Sequence, residues 1–564
     1  MNPLILKGIR ERLRLKQLIA ASLFCLIITA SFYLSSYLQG AQDKQVYDHK
    51  NKTYIKVEGR DINGARNAFG TLLVVQGFFL MFLGTGRVAS ITAEDKESGL
   101  LDYQRMTPMN PLSKIAGYIF GIPAREYYMF LLTLPFMVHC VSVGEIPWFN
   151  VLHLYLVFFS SVILYHLTAH VTGLVVPKPR AASWMSRIVV MGLYLVLPAL
   201  GQAGISVFSF LTTLPTYFGK IVPHLAPVGM PDTGQKYSAR GHWSEMKMKV
   251  TEFWQDVPFY HLQLSPAVFT FIMQALLLAA LLVTAYRKWR NASLPAFSKR
   301  AGLIIFCVLQ FLLLGSLWSF FAEGNASGLL GQSLSADAFQ NSDRLMSLII
   351  VQSIFVCLSI AVIFGLVNIC CPDRHLYMKG LQRAERQNLA RLPWMSDERS
   401  GIWLVIALAV ITSGVQALLA HLAASSEAWS APASMASSVV VPFLLILCTC
   451  LYLQAARELW FSLGFFGFVA LLWVTPILTS MVLAAGWADQ MYGAIFKLLA
   501  FCPLSVTSMH LVSVYAESLG LPETSEQNLQ QAKWLGVLIS LALAVLLQVM
   551  LRRQRESGGG EREE

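Results

Sequence analysis

The chain has 564 residues, of which 55% are hydrophobic and only 13% charged, and its mean hydropathy is +0.55. Soluble proteins carry roughly a quarter charged residues, so a soluble enzyme, a disordered chain and a fibrous repeat are excluded, and a polytopic helical membrane protein is left. The net charge of +11 comes from 43 Lys and Arg against 32 Asp and Glu; such a balance suits nucleic acid or the flanks of membrane helices, and its distribution decides between them.

The first 17 residues are basic, and Leu4, Ile5, Ile9 and Leu13 can share one helix face while Lys7, Arg10, Arg12 and Arg14 take the other. A basic amphipathic helix at the cytoplasmic membrane surface fits this pattern. The apolar run that follows, 18–38, has span length and no small-x-small cleavage site, so it reads as an uncleaved first span rather than a signal peptide.

Hydropathy predicts an all-α membrane protein with twelve spans, at 18–38, 67–86, 115–141, 149–176, 188–211, 264–286, 302–321, 345–368, 402–423, 435–455, 460–484 and 534–551. The third is too long for one crossing, so its first turns, with Arg125 and Glu126, are placed at the interface. With the N-terminus in the cytoplasm, 28 Lys and Arg fall inside and 14 outside, Arg125 completing the 43. That bias orients the chain with both termini cytoplasmic, as expected in a bacterial inner membrane.

Loop lengths repeat. Each half has an outer loop after its first span (39–66, then 322–344) and a cytoplasmic segment after its second (87–114, then 369–401). Each also has a long outer segment before its last span (212–263, then 485–533). A six-span unit at 18–286, a cytoplasmic linker at 287–301, a second unit at 302–551 and a tail at 552–564 account for this. Within the last outer segment, Ala494–Val514 is apolar but broken by Pro503, which suits a re-entrant or surface-lying helical pair.

The segment after the second span reads as a short helix from Thr92, with Glu94 and Asp95 in its first turn, where the helix dipole favours acids. Gly99 allows a bend, Pro108 and Pro111 end the element, and Ser113 can cap the next membrane helix. Asp95-Lys96-Glu97, Gly99, Leu101, Asp102, Thr107-Pro108 and Gly117 follow the order of the signature of ABC-2-type ABC transporter permeases, which the chain resembles; Leu100 stands for the usual Thr, and Gln104 sits where an apolar residue is common.

The resemblance implies that Glu94, Asp95, Lys96, Glu97, Gly99, Leu101, Asp102, Thr107 and Pro108 belong to a coupling helix that docks in a cleft of an ATPase subunit. The second-half segment, Pro372 to Arg399, lacks the Glu-x-Gly-x-Leu core. A second docking helix using Leu381, Arg383, Glu385 and Arg386 and ending near Pro393-Trp394, and a solvated basic loop, both fit it.

No G-x-x-x-x-G-K-[ST] run is present, so no P-loop of its own is expected; the resemblance then implies two copies of a separate ATPase subunit, with ATP and Mg on that partner and no cofactor in this chain. No CxxC pair occurs among the nine cysteines; Cys370-Cys371 and Cys448-x-Cys450 read as small apolar fillers. His166 and His170 share one face of the fourth span, with His139 and His153 nearby in sequence, but no acid or thiolate joins them, and a metal site is not expected. Arg125 and Glu126, as neighbours, are not expected to face each other on a helix.

Asp43, Asp48, Glu58 and Asp61 in the first outer loop admit a membrane glycosyltransferase as a competing class, and a secondary transporter is another. The acids are scattered among six basic residues, and neither class explains the cytoplasmic motif. The sequons at Asn51 and Asn325 carry no meaning in a bacterial host. No span carries a dense line of charge, so the expected cargo is lipid-like, hydrophobic or amphipathic.

Overall fold

The fold is taken from a computed structural model, which describes residues 2–42, 45–48, 53–56, 59–202, 206–226, 228, 257–291, 295–323, 341–372, 374–388, 392–394, 396–426, 429, 439–460, 462–515 and 523–560. Among them, eleven helices are long and apolar enough to cross a membrane. The protein is an all-α integral membrane protein. Two short antiparallel pairs accompany the helices: Gln45–Asp48 with Thr53–Lys56, in the register Gln45 opposite Lys56, and Val257–Phe259 with Leu262–Leu264.

The chain divides into two compact units, one holding residues up to Pro258 and Leu262–Leu294, the other Pro295–Ala326 and the residues from Ser333 onward. The first contains the spans Leu15–Gly40, Arg60–Glu97, Ala124–Val143, Trp148–Val175 and Pro266–Arg290. The predicted span 188–211 corresponds to the helix Pro179–Gln202, with a separate 3-10 turn at Ser206–Leu211. That helix is not among the eleven, so the predicted continuous crossing to residue 211 is corrected to an earlier end.

Two further corrections concern where helices begin. The predicted third span, 115–141, is two helices. Asn110 caps Pro111–Ala116, its side chain accepting from the Leu112 N–H at 3.0 Å, so the cap is Asn110 rather than Ser113. A π-helical stretch, Gly117–Gly121, follows, and the membrane helix restarts at Ala124 after Pro123. Arg125 and Glu126 open that second helix. They do pair, at 3.0 Å, against expectation; Glu126 is buried, and the long arginine stem folds back to supply its counter-charge.

The second span is longer than predicted. Arg60–Gly77, the π-helical Phe78–Gly84 and Thr85–Glu97 form one continuous helix of 38 residues. At about 1.5 Å per residue this is close to 57 Å, well beyond a hydrocarbon core of roughly 30 Å, so the helix projects from the bilayer. The N-terminal helix Pro3–Arg12 packs on Gly117–Gly121: a Cβ on Gly8 would lie 2.4 Å from the Gly121 carbonyl oxygen, and one on Gly117 2.5 Å from Leu4 Cβ. Part of its apolar face is therefore docked on protein.

The second unit holds the spans Lys299–Ala322, Leu345–Cys370, Ile402–Ser425, Val440–Leu459, Gly464–Ala484 and Glu523–Arg555. Phe364, Phe465, Phe466 and Trp473 pack together, and the Trp473 indole donates to the Tyr452 hydroxyl at 2.8 Å. The apolar stretch before the last span breaks at Cys502-Pro503, as Pro503 suggested. Its first half is not a separate helix; Thr475–Leu499 continues straight into it, while Pro503–Val514 packs on the last helix.

Candidate functional site

The segment 92–109 is built at the projecting end of the long helix. Its start is read differently from the sequence: Glu94 and Asp95 lie in the last turns of Thr85–Glu97, because no break precedes Thr92. The dipole disfavours acids there and favours Lys96, whose ammonium donates to the Val175 carbonyl at 3.1 Å. The Ser98 N–H donates to the Glu94 carbonyl, and Gly99 takes φ +76°, the left-handed conformation that ends helices. Leu100–Met106 forms the next short helix, and Thr107 is extended ahead of Pro108.

The underside of this segment is locked. Leu101 is buried among Ile115, Tyr118, Leu167, Leu174 and Trp289. Lys114, only 3% exposed, donates its ammonium to the Gln104 carbonyl at 2.6 Å and the Thr107 carbonyl at 3.2 Å. The Gln104 carbonyl also accepts from the Thr107 N–H at this helix end, so the lysine adds a charge-assisted bond across it. The Thr107 hydroxyl donates to the same Gln104 carbonyl. Arg105 pairs with Asp102 and donates to the Lys288 carbonyl at 3.1 Å, tying the segment to Pro266–Arg290.

Asp95 is held from below by the Tyr118 hydroxyl, which donates to Oδ2 at 2.5 Å and lies 3.1 Å from the Gln104 side-chain amide. Burial, and next the Asp95 carboxylate, push the Tyr118 phenol well above its usual range. The Tyr118 ring packs 4.9 Å from His170 and edge-on to Trp289. The Trp289 indole donates to His170 Nε2 at 2.8 Å, which leaves the proton of a neutral imidazole on Nδ1, where it donates to Thr92 Oγ1 at 3.0 Å. One buried polar cluster thus joins Thr92, Asp95, Tyr118, His170 and Trp289 across four helices.

The outer face is different. Glu94, Lys96, Glu97, Asp102 and Pro108 are exposed, with Tyr103 at 65% and Met106 at 79%. Charged residues and two large apolar side chains stand on one short, fixed element. Sequence reading found Leu101, Thr107 and the exposed residues. It missed Lys114, Tyr118, His170 and Trp289 as parts of the same construction; a lone lysine and a tyrosine within an apolar stretch were the available signal.

The histidines do not converge. His166 Nε2 donates to the Leu80 carbonyl at 3.0 Å, inside the π-helical stretch, and Nδ1 faces the Tyr127 hydroxyl. His139 bonds Tyr33, and His153 packs on Phe149. Among the described residues no group of three His, Cys, Asp or Glu could hold a metal. In the segment 39–66, Asp61 accepts from the Tyr37 hydroxyl at 3.1 Å and Asp48 lies in a strand; Asp43, Asn51 and Glu58, and Asn325 elsewhere, lie outside the described residues.

The second-half segment contains a helix, Arg374–Arg386, that ends before the predicted Pro393-Trp394. Arg383 pairs with the buried Glu398, while Glu385 and Arg386 are exposed. Leu381 lines a cavity of about 580 Å³ with Tyr377, Trp394, Trp403 and Arg555. Arg555 lies over the Tyr377 ring and pairs with Glu458, whose carboxylate also accepts from the Gly401 N–H at 2.8 Å. This segment is therefore fastened by ion pairs, where the first is fastened by Lys114 and aromatic packing.

No protein-family model, no curated protein and no solved structure matches the chain.

Proposed function

We propose that the chain is the permease subunit of an ABC-2-type exporter in a bacterial inner membrane. Two six-span halves form it, both termini are cytoplasmic, and separate ATPase subunits bind and hydrolyse ATP with Mg. The division into two units near the predicted linker supports the paired halves. The observation that carries the reading is the build of 92–109: an exposed face of Glu94, Glu97, Asp102, Tyr103 and Met106 on a base bonded to four helices. The face offers charge and apolar area to a protein cleft; the base passes a displacement to the spans. Such a switch needs docking energy that differs between two states of the partner.

The mixed charges at 94–105 and the helix Arg374–Arg386 offer one docking surface in each half. The cargo in this reading is lipid-like or amphipathic.

The test is co-purification from the native host. The wild-type chain should bring down an ATPase of about 25–35 kDa, by usual domain sizes. Glu97→Lys reverses charge on the outer face and should weaken recruitment by about 2–5 kcal/mol. Gly99→Trp and Pro108→Ala should uncouple hydrolysis from transport while insertion and folding stay intact. Variants that bind ATPase and transport like wild type would overturn the assignment.

A further inference from the structure

The first unit contains a cavity of about 850 Å³ between Arg60–Glu97 and Pro179–Gln202, in the size range of small-molecule sites. Phe78, Met81, Phe82, Met191 and Leu195 give it apolar walls. It is accessible from the side of the helices, where Val74 is 72% and Leu195 67% exposed. The wall from Asn67 to Phe82 belongs to the membrane-spanning helix Arg60–Glu97. Among the polar groups of the walls, Asn67 donates to the Ser36 carbonyl at 2.7 Å, and the Tyr194 hydroxyl bonds Thr213 and Met81.

A charge stands just beyond the lining, against the wall residue Phe82. Arg187 stands one turn before Met191 on the same helix, and its guanidinium lies 5.4 Å from the Phe82 ring and 5.9 Å from the Trp184 ring. Its Nε is buried without a hydrogen-bond partner, packed so closely on Gly86 that a Cβ there would lie 2.1 Å away. Among the described residues no carboxylate pairs with it, and its guanidinium packs on the two rings and on Gly86. A cation held against apolar rings without a counter-ion is costly unless an anion pairs with it.

We propose that this cavity binds one anionic lipid drawn from the bilayer, its phosphate on Arg187 and its acyl body along Phe82, Phe78 and Met191. Guanidinium suits a phosphate because it donates through a planar fork. The apolar walls suit the chain, and the missing counter-ion supplies the preference for an anionic head. Binding is a property of this chain alone, so it stands or falls separately from ATPase docking. In an exporter it names the cargo as an anionic amphiphile.

The test is native mass spectrometry of the full chain, purified in neutral detergent and titrated with phosphatidylglycerol or with phosphatidylcholine of the same acyl chains. Wild type should retain phosphatidylglycerol about tenfold more strongly. Arg187→Gln should lower its retention to the phosphatidylcholine level, and Arg187→Lys should keep part of the preference. Met191→Trp, which fills the cavity, should lose both lipids with the thermal midpoint of the protein unchanged. Equal retention of the two lipids by wild type, or an undiminished preference in Arg187→Gln, overturns the proposal. So does displacement of the lipid by glycerol phosphate alone, which would make the site one for a free head.

Discussion

Lys114 and Tyr118 do the fastening under the exposed segment, each in a way a substitution can expose. Lys114→Met keeps the apolar stem and removes the donor to two buried carbonyls. The expected loss is about 1–3 kcal/mol, from the lost charge-assisted bonds to the Gln104 and Thr107 carbonyls, read as a lower thermal midpoint in detergent. Tyr118→Phe removes the donor to Asp95 and should cost a similar ~1–3 kcal/mol. It also has a pH signature. The phenol titrates higher in the folded chain than in the unfolded one, so the folded state keeps a proton that the unfolded state releases. Stability from this group is complete below about pH 10 and falls as pH rises through that value. Tyr118→Phe should flatten the decline of the thermal midpoint as pH is raised from about 9.5 to about 11; an unchanged decline would place the titration elsewhere.

The element at issue is the joint at Gly99. Nothing lies within 4 Å of a Cβ built there, so a side chain meets open space and the cost of substitution is the left-handed backbone itself. Gly99→Ala should destabilise by about 1–2 kcal/mol, and Gly99→Asn by less, because asparagine tolerates that conformation. Bulk at Gly99 is a problem only for a partner, which makes Gly99→Trp a probe of docking once the strain shared with Gly99→Ala is subtracted. The joint also shows where sequence reading went astray. Lys96 in the last turn, Gly99 just past it and Pro108 beyond form a helix end, and the acids of 94–95 were read instead as a helix start. A helix of 38 residues crosses two environments, so hydropathy marked its apolar part and left its projecting turns unassigned. The N-terminal helix has the same character: its amphipathic pattern was legible, but its seat on Gly117 and Gly121 depends on contacts more than a hundred residues away. Gly8→Leu should unseat it and speed tryptic cleavage at Arg10 and Arg12 relative to wild type.

At the scale of the molecule, eleven spans were legible because span length and apolar content are local properties of the chain. The break at Pro503 was legible for the same reason. The cluster of Thr92, Asp95, Tyr118, His170 and Trp289 was not, since it joins residues nearly two hundred positions apart and only tertiary packing brings them together. His166 and His170 looked like a pair from their spacing, but each serves a different neighbour, Leu80 in one case and Trp289 in the other. Topology remains a matter of charge bias, and it is directly measurable. Reporter fusions at Arg555 and within 322–344 should report opposite sides of the membrane, the tail inside; an external tail would invert the proposed arrangement.

The burial of Lys114 turns one amine into a clock. Lys7 is exposed outside the spans, and an amine-reactive reagent should modify it at close to the intrinsic rate. Lys114 can react only after Leu100–Met106 lets go of it, so its labelling rate counts local opening events. The ratio of slow to fast labelling then gives the free energy of that opening without unfolding the rest of the chain. Any partner that seats on Tyr103 and Met106 should slow the one amine it never touches.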